Sequence, residues 1–186
     1  MHQRNHRGVL RRGFTLLELL VSISIMAILL AVVSISTVSY LSSARDAERQ
    51  SDLQNIKAAI EQYRIQNGRY PNASCGSNCW STEATTNFIE GLSSVLSPIP
   101  NDPRPGTGNG YAYRTNWNGT VYKLMSRGSV ENTVTADHPL QPCDTTFCTA
   151  SCQNSSFFTR SYAVWGGFAD DVRGSGSDTA TVICAM

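Results

Sequence analysis

Between Leu19 and Ala44 the chain carries no charged residue across 26 positions. A helix of about 20 apolar residues crosses a bilayer, so this run dictates a span or a helix buried on every side. Ahead of it, on the far side of residues 14–18 (FTLLE), residues 1–13 read MHQRNHRGVLRRG, with Arg4, Arg7, Arg11 and Arg12 and no acid. Basic flanks stay cytoplasmic, so the chain beyond the run is expected to be exported. The six cysteines fit that direction, because disulfides persist outside the cytosol. A cleaved secretory signal needs an apolar core of only about 7–15 residues with a small-residue site behind it. This run is too long for that, and no clear A-x-A follows. A plain signal anchor holding some other domain fits length and hydropathy equally well.

Glu18 fits neither reading. It lies in the apolar block, four residues after Phe14. An ionised group at bilayer depth costs ~2.5–3.5 kcal/mol at the centre and marks a functional site with a partner. Its depth is only ~6 Å from the helix start at ~1.5 Å per residue, so an interfacial Glu near the headgroups is the plain alternative.

The segment Arg11-Arg12-Gly13-Phe14-Thr15-Leu16-Leu17-Glu18-Leu19-Leu20-Val21 resembles the class III signal of type IV pilins and type II secretion pseudopilins. The resemblance implies a cut between Gly13 and Phe14 by a prepilin peptidase on the cytoplasmic face. It implies N-methylation of Phe14, and it makes Glu18 the fifth mature residue. It also implies partners: identical or related subunits in a helical filament, the peptidase, and an inner-membrane assembly platform. The physics is compatible. A new α-amino group, with a pKa of about 8, is mostly cationic at neutral pH. A buried carboxylate paired with it escapes the cost of standing alone. Positions 14 and 18 are one helical turn apart, and in the family the favoured partner is the Phe amine of a neighbouring subunit. Glu18 is then an assembly residue, not a catalytic one.

The helix is expected to continue past the apolar run. Leu53, Ile56, Ile60 and Tyr63, with Ala59 beside them, recur at spacings of three and four, one face of an amphipathic helix. Arg45, Asp46, Glu48, Arg49, Asp52, Lys57, Glu61 and Arg64 are assigned to its wet face. Gly68 serves as the C-terminal stop, with Pro71 shortly after. Phe14 to Gln66 would be ~80 Å long at ~1.5 Å per residue.

Beyond it, Phe88 to Leu96 suggests a short amphipathic helix, ended by prolines 98, 100, 103 and 105. YAYRTNW-NG-TVYKLMS reads as a β-hairpin turning at Asn118-Gly119. Further strands are expected at Ser161–Val164, or to Phe168, and at Thr179–Ala185. The expected fold is α+β: a long N-terminal helix on a small antiparallel sheet. Its parts are a leader over 1–13, a membrane and filament-core helix over 14–40, the amphipathic half over 41–68 and a β-sheet head over 69–186. Residues 63–71 (YRIQNGRYP), Pro100-Asn101-Asp102-Pro103, Tyr111-Ala112-Tyr113 and Tyr122-Lys123-Leu124 are similar to the helix end, loop and first strands of the major pseudopilin. That likeness covers residues 14 to about 130.

Cys75 and Cys79 are close enough in sequence for a local bridge, leaving Cys143, Cys148, Cys152 and Cys184 to pair among themselves. Six cysteines allow 15 connectivities. The resemblance favours Cys184 bonded to one of the 143–152 group, as in the C-terminal loops of type IV pilins. A four-thiolate zinc site is the alternative, although no C-x2-C ribbon is present. Major pseudopilins carry calcium in an Asp-rich C-terminal loop, which makes Asp170, Asp171 and Asp178 weak calcium candidates. They lack a regular ligand spacing and read more simply as solvated loop acids. No other cofactor is expected.

No enzyme motif is present: no P-loop, Rossmann glycines or H-E-x-x-H, and no G-x-S-x-G. After the leader, His138 is the sole histidine, read as a loop residue. From Arg69 onward seven bases meet nine acids, which leaves no electrostatic footprint for nucleic acid across the head. Without its leader the chain is acidic, with 11 bases against 14 acids. The reading is a type IV pilus-like or type II secretion pseudopilus subunit, first anchored in the inner membrane with its N-terminus cytoplasmic, then part of a periplasmic or extracellular filament. The Pro-Asn-Asp-Pro loop favours a pseudopilus, the cysteine-rich end a pilus outside the cell. A signal-anchored surface binding domain that never polymerises is the alternative from another class.

Overall fold

The computed structural model describes residues 13–76, 79–85, 87–104, 110–143, 148, 152, 155–167 and 182–185, with the side chains of 33–38 excepted. Helix α1 runs Leu16–Asn67. The chain divides into two compact units, Met1–Leu41 and Ser42–Met186.

In the first unit α1 presents apolar side chains on all sides, open to solvent from Leu16 and Leu17 to Leu30 and Val32, with Glu18 in its first turn as the charged exception among the described residues. An exposed apolar surface of this extent marks a membrane or partner contact. Its serines do not interrupt that surface. Ser22 Oγ donates to the Glu18 carbonyl at 2.7 Å and Ser24 Oγ to the Leu20 carbonyl at 2.6 Å. Hydroxyls satisfied inside the helix are what an apolar solvent demands. Among the described residues no helix is long and apolar enough to cross a membrane. By sequence the uncharged run continues to Ala44, through residues whose side chains lie outside the description.

The second unit is α+β. Strands β1 (Ser81–Thr82), β2 (Tyr111–Thr115), β3 (Val121–Ser126) and β4 (Tyr162–Gly167) form one sheet in the order β1-β2-β3-β4. Every pairing is antiparallel, with Tyr113 opposite Leu124 and Leu124 opposite Val164. Alternation sends Tyr111, Tyr113, Tyr122, Leu124, Tyr162 and Val164 to one face. There they join Leu53, Ile56, Ala59 and Ile60 of α1 in one buried core. Two carboxylates of α1 receive hydroxyls from this sheet. Tyr111 donates to Asp52 at 2.7 Å and Tyr122 to Glu61 at 3.1 Å. Burial and the Asp52 charge push the Tyr111 hydroxyl well above its ordinary pKa.

Gly68, at φ 74°, closes α1 by donating its N–H to the Arg64 carbonyl at 2.7 Å. The hairpin between β2 and β3 is wider than a two-residue Asn-Gly turn. Asn116 and Trp117 join it, and Asn116 Oδ1 accepts from the Thr120 and Val121 amides. Gly119 has φ 63°, and a Cβ there would meet the Tyr70 carbonyl at 2.9 Å.

Three expectations are corrected. The helix sought over 88–96 is a single 3-10 turn, Leu92–Ser94. Gly91 ahead of it is left-handed at φ 76°, and Ile89 bridges to Ala73 instead. Of the strand sought over Thr179–Ala185, residues 179–181 lie outside the described residues, and Val182 and Ile183 form a helical turn, not a strand. The reason is Lys123, whose Nζ donates to the carbonyls of Ile183 at 2.8 Å and Ala185 at 2.6 Å. An extended strand holds those two oxygens ~6.7 Å apart, too far for one ammonium. The third correction is to the wet face of α1, where Asp46 and Arg49 are buried.

Candidate functional site

At the start of α1, Thr15 and Glu18 form a reciprocal pair. The Glu18 amide donates to Thr15 Oγ1 at 3.3 Å, and Glu18 Oε2 accepts from the Thr15 amide at 3.5 Å and hydroxyl at 3.4 Å. This is a capping box: Thr-x-x-Glu satisfies orphan donors at both positions. The carboxylate also lies in the first helical turn, where the positive end of the dipole favours it. Phe14, just outside the helix, is 85% exposed, and Gly13 has open space around it. The near partner of Glu18 is therefore Thr15. The Thr15-x-x-Glu18 spacing is the sequence signature of this cap.

A second constellation escaped the sequence reading. The Arg49 guanidinium grips Asp102 with two hydrogen bonds of 2.9 Å and reaches Asp46 at 2.7 Å. Glu131 takes two bonds of 2.6 Å from Arg45 and one of 3.1 Å from Arg104. Asp46 further accepts from the amides of Glu131 and Asn132 and from the Asn132 side chain, at 2.7–3.0 Å. Three arginines thus balance three carboxylates, and the Arg49 and Asp102 side chains are fully buried. Buried charges persist only when paired and hydrogen-bonded. The hydrogen bonds from Arg45 hold the Glu131 carboxyl down to about 2, although its partial burial opposes them. The cluster ties α1 to the Pro100–Pro103 loop and to the segment after β3. Asp102 is the Asp of that Pro-Asn-Asp-Pro loop. The helical period contained the signal: Arg49 is four residues before Leu53, and Asp46 three before Arg49, so both extend the buried stripe.

Four of the six cysteines gather beyond the sheet's other face. Disulfides join Cys75 to Cys79, Cys143 to Cys152 and Cys148 to Cys184. No free cysteine remains, so no thiolate is left for zinc and that alternative is withdrawn. Cys143, Cys148 and Cys152 pack with Val121, Phe158, Val182 and Ile183 in a small core of their own. Lys123 on β3 is fully buried under this cap. Burial, helped by Arg114, pulls its ammonium pKa down to about 7 from 10.5. The unfolded chain then holds more protons between those values, so stability rises with pH over that window. Below pH 7 the burial penalty is carried in full. Lys123→Met is expected to flatten the pH dependence of the urea midpoint between pH 7 and 10, while a slope as steep as wild type would refute this account.

Asp170, Asp171 and Asp178 lie outside the described residues. Among the described residues no group of three or more His, Cys, Asp or Glu is placed to hold a metal. His138 stacks on Tyr162 at 5.0 Å, and its Nδ1 accepts from the Leu140 amide at 3.0 Å, a structural position at a turn.

Together, a prepilin-type start and a helix-on-sheet head define a pilin-like subunit. Comparison with known proteins narrows this. Residues 10–34 match the prokaryotic N-terminal methylation motif, and residues 36–140 match the type II secretion system protein G family. The chain belongs to that family, and it is a structural subunit of pseudopilus type. Type II secretion system core protein G of Pectobacterium carotovorum subsp. carotovorum is 29% identical over 65% of this chain and 70% of its own length. The proteins of that name from Klebsiella pneumoniae and Pseudomonas aeruginosa are each 29% identical over 63% of this chain, covering 76% and 82% of theirs. No solved structure matches. The family match ends at Leu140, so Cys143, Cys148, Cys152 and Cys184 lie beyond it.

Proposed function

We propose that this chain is the major subunit of a type II secretion pseudopilus, made as an inner-membrane precursor with an exported head. A prepilin peptidase cuts between Gly13 and Phe14, and Phe14 is then N-methylated. The carrying observation is the Gly13-Phe14 junction within a methylation-motif match that runs directly into the protein G match. The open surroundings of Gly13 and the exposure of Phe14 suit a protease and a methyltransferase. Once Phe14 carries a free amine, Glu18 gains a cationic partner in a neighbouring subunit while Thr15 keeps its carboxylate at the helix start. Subunits related head to tail build an open filament, not a ring. Between lipid and filament core apolar burial changes little, so packing and the Phe14–Glu18 pair decide assembly. The family is structural, and no catalytic step is assigned to the head.

Mass analysis of the native protein is expected to show residues 1–13 absent and one methyl group on Phe14. Glu18→Val is expected to be cut normally but to yield no filaments in shearing assays. Retention of residues 1–13 in the native protein would support the signal-anchored surface domain instead, and wild-type filament yield from Glu18→Val would refute the pairing.

A further inference from the structure

Trp117 stands 74% exposed at the tip of the β2–β3 hairpin. It borders a half-open cavity of about 340 Å³ whose lining includes Arg69, Asn72, Glu90, Thr115 and Asn116. Leaving an indole in water forgoes ~2 kcal/mol of burial, and the turn that carries this one is fixed. Asn116 fixes the turn through its bonds to Thr120 and Val121. The Tyr70 amide donates to the Gly119 carbonyl at 2.8 Å, which ties the hairpin tip to the segment leaving α1. The Glu90 amide donates to the Asn72 carbonyl at 2.9 Å, which ties in the opposite wall. The Cys75–Cys79 bond closes the loop that carries Gly76 on the cavity's rim. The walls come from separate segments, cross-linked before any ligand arrives. Rigid sites waste less binding free energy on ordering.

The chemistry of the lining selects the ligand class. One guanidinium and one carboxylate balance, so neither a strong anion nor a cation is favoured. Arg69 donates to the side chain of Asn72, which orients that amide. The Asn72 amide and Arg69 supply donors, and Glu90 supplies acceptors, around one flat aromatic face. A neutral sugar ring presents that complement: C–H bonds on one face for the indole, hydroxyls around its edge for amide and carboxylate. We infer that this cavity binds a neutral saccharide, its ring stacked on Trp117 and its hydroxyls held by Asn72 and Glu90. The site belongs to the head and does not depend on whether the chain polymerises.

The test uses the full chain in a sugar-free zwitterionic detergent, with saturation-transfer NMR against neutral tetrasaccharides of glucose and of N-acetylglucosamine. Transfer to ring C–H protons of at least one is expected. Trp117→Ala is expected to bind about tenfold more weakly, the loss of one aromatic contact. Glu90→Gln is expected to weaken binding less, and Trp165→Ala to leave it unchanged. Circular dichroism matching wild type confirms that the exposed Trp117→Ala site has not unfolded the head. No transfer to any of these sugars, undiminished binding by Trp117→Ala, or an equal loss in Trp165→Ala would each overturn the assignment.

Discussion

Arg49→Ala is expected to destabilise the head by about 3–5 kcal/mol, the range for breaking a buried charge network on one side. For a chain of this size that lowers Tm by roughly 10 °C or more. The consequences for its two main partners differ. Asp46 keeps the Glu131 and Asn132 amides and the Asn132 side chain. Asp102 loses both of its guanidinium bonds and keeps the Arg104 amide at 2.9 Å. Asp102 is therefore the stranded charge, in a site where its side chain has no solvent. Adding Asp102→Asn to Arg49→Ala is expected to recover part of the loss, because a neutral amide tolerates burial better than a lone carboxylate. Arg49→Lys should also fall short, since a point charge cannot reproduce the two-pronged grip. Thermal denaturation of the full chain in detergent measures all four proteins. A Tm for Arg49→Ala within ~2 °C of wild type, which corresponds to under ~1 kcal/mol, would show that the cluster does not hold the head together.

The same cluster shows what the sequence made legible and where its reading stopped. Spacing of Leu53, Ile56 and Ile60 was enough to find the face of α1 that meets the sheet, because apolar residues report burial directly. Asp46 and Arg49 sit on that face too, but charge alone is read as solvent contact. Only the partners reverse that reading, and Asp102 and Glu131 lie 53 and 82 residues from Arg49. The β2–β3 hairpin was legible because strand formers flank a local turn signal. Strand β1 was not: two residues have no period, and Ser81 and Thr82 are held by pairing with Tyr113 and Ala112. At the C-terminus, Val182 and Ile183 have the composition of a strand, yet a buried ammonium on β3 curls them. Local propensity is a weak prior against such tertiary contacts. At the N-terminus the signal is contiguous, so residues and resemblance carried it without help from the fold.

Replacing both Cys148 and Cys184 by alanine is the second large effect expected. The bond links positions 36 apart, and Cys75–Cys79 links positions 4 apart. Chain-entropy scaling gives about 4 kcal/mol for the longer loop and about 2 for the shorter. The Cys143–Cys152 bond interlaces with it in sequence, Cys143 lying before the longer loop and Cys152 within it, so the two are not independent and the measured loss should fall somewhat short of the first figure. Packing acts in the same direction. Val182 and Ile183 are buried against Val121 and Phe158, and their segment supplies both carbonyls to Lys123. Once the tether is cut, a frayed end leaves the Lys123 ammonium without those acceptors under a cap too loose to exclude water. Its pKa should then climb back toward the ordinary lysine value, and the rise of stability above pH 7 should diminish. Local opening, not global unfolding, is the first expected event, since a chain terminus is tied down only by what it docks against. Carboxypeptidase should therefore trim the double variant from its C-terminus while the sheet still protects its backbone amides from exchange. The Cys75→Ala, Cys79→Ala pair should leave trimming unchanged and lower the urea midpoint less. Equal resistance of the Cys148/Cys184 variant and wild type to carboxypeptidase would mean that the disulfide is incidental and the small core around Val182 holds the end unaided.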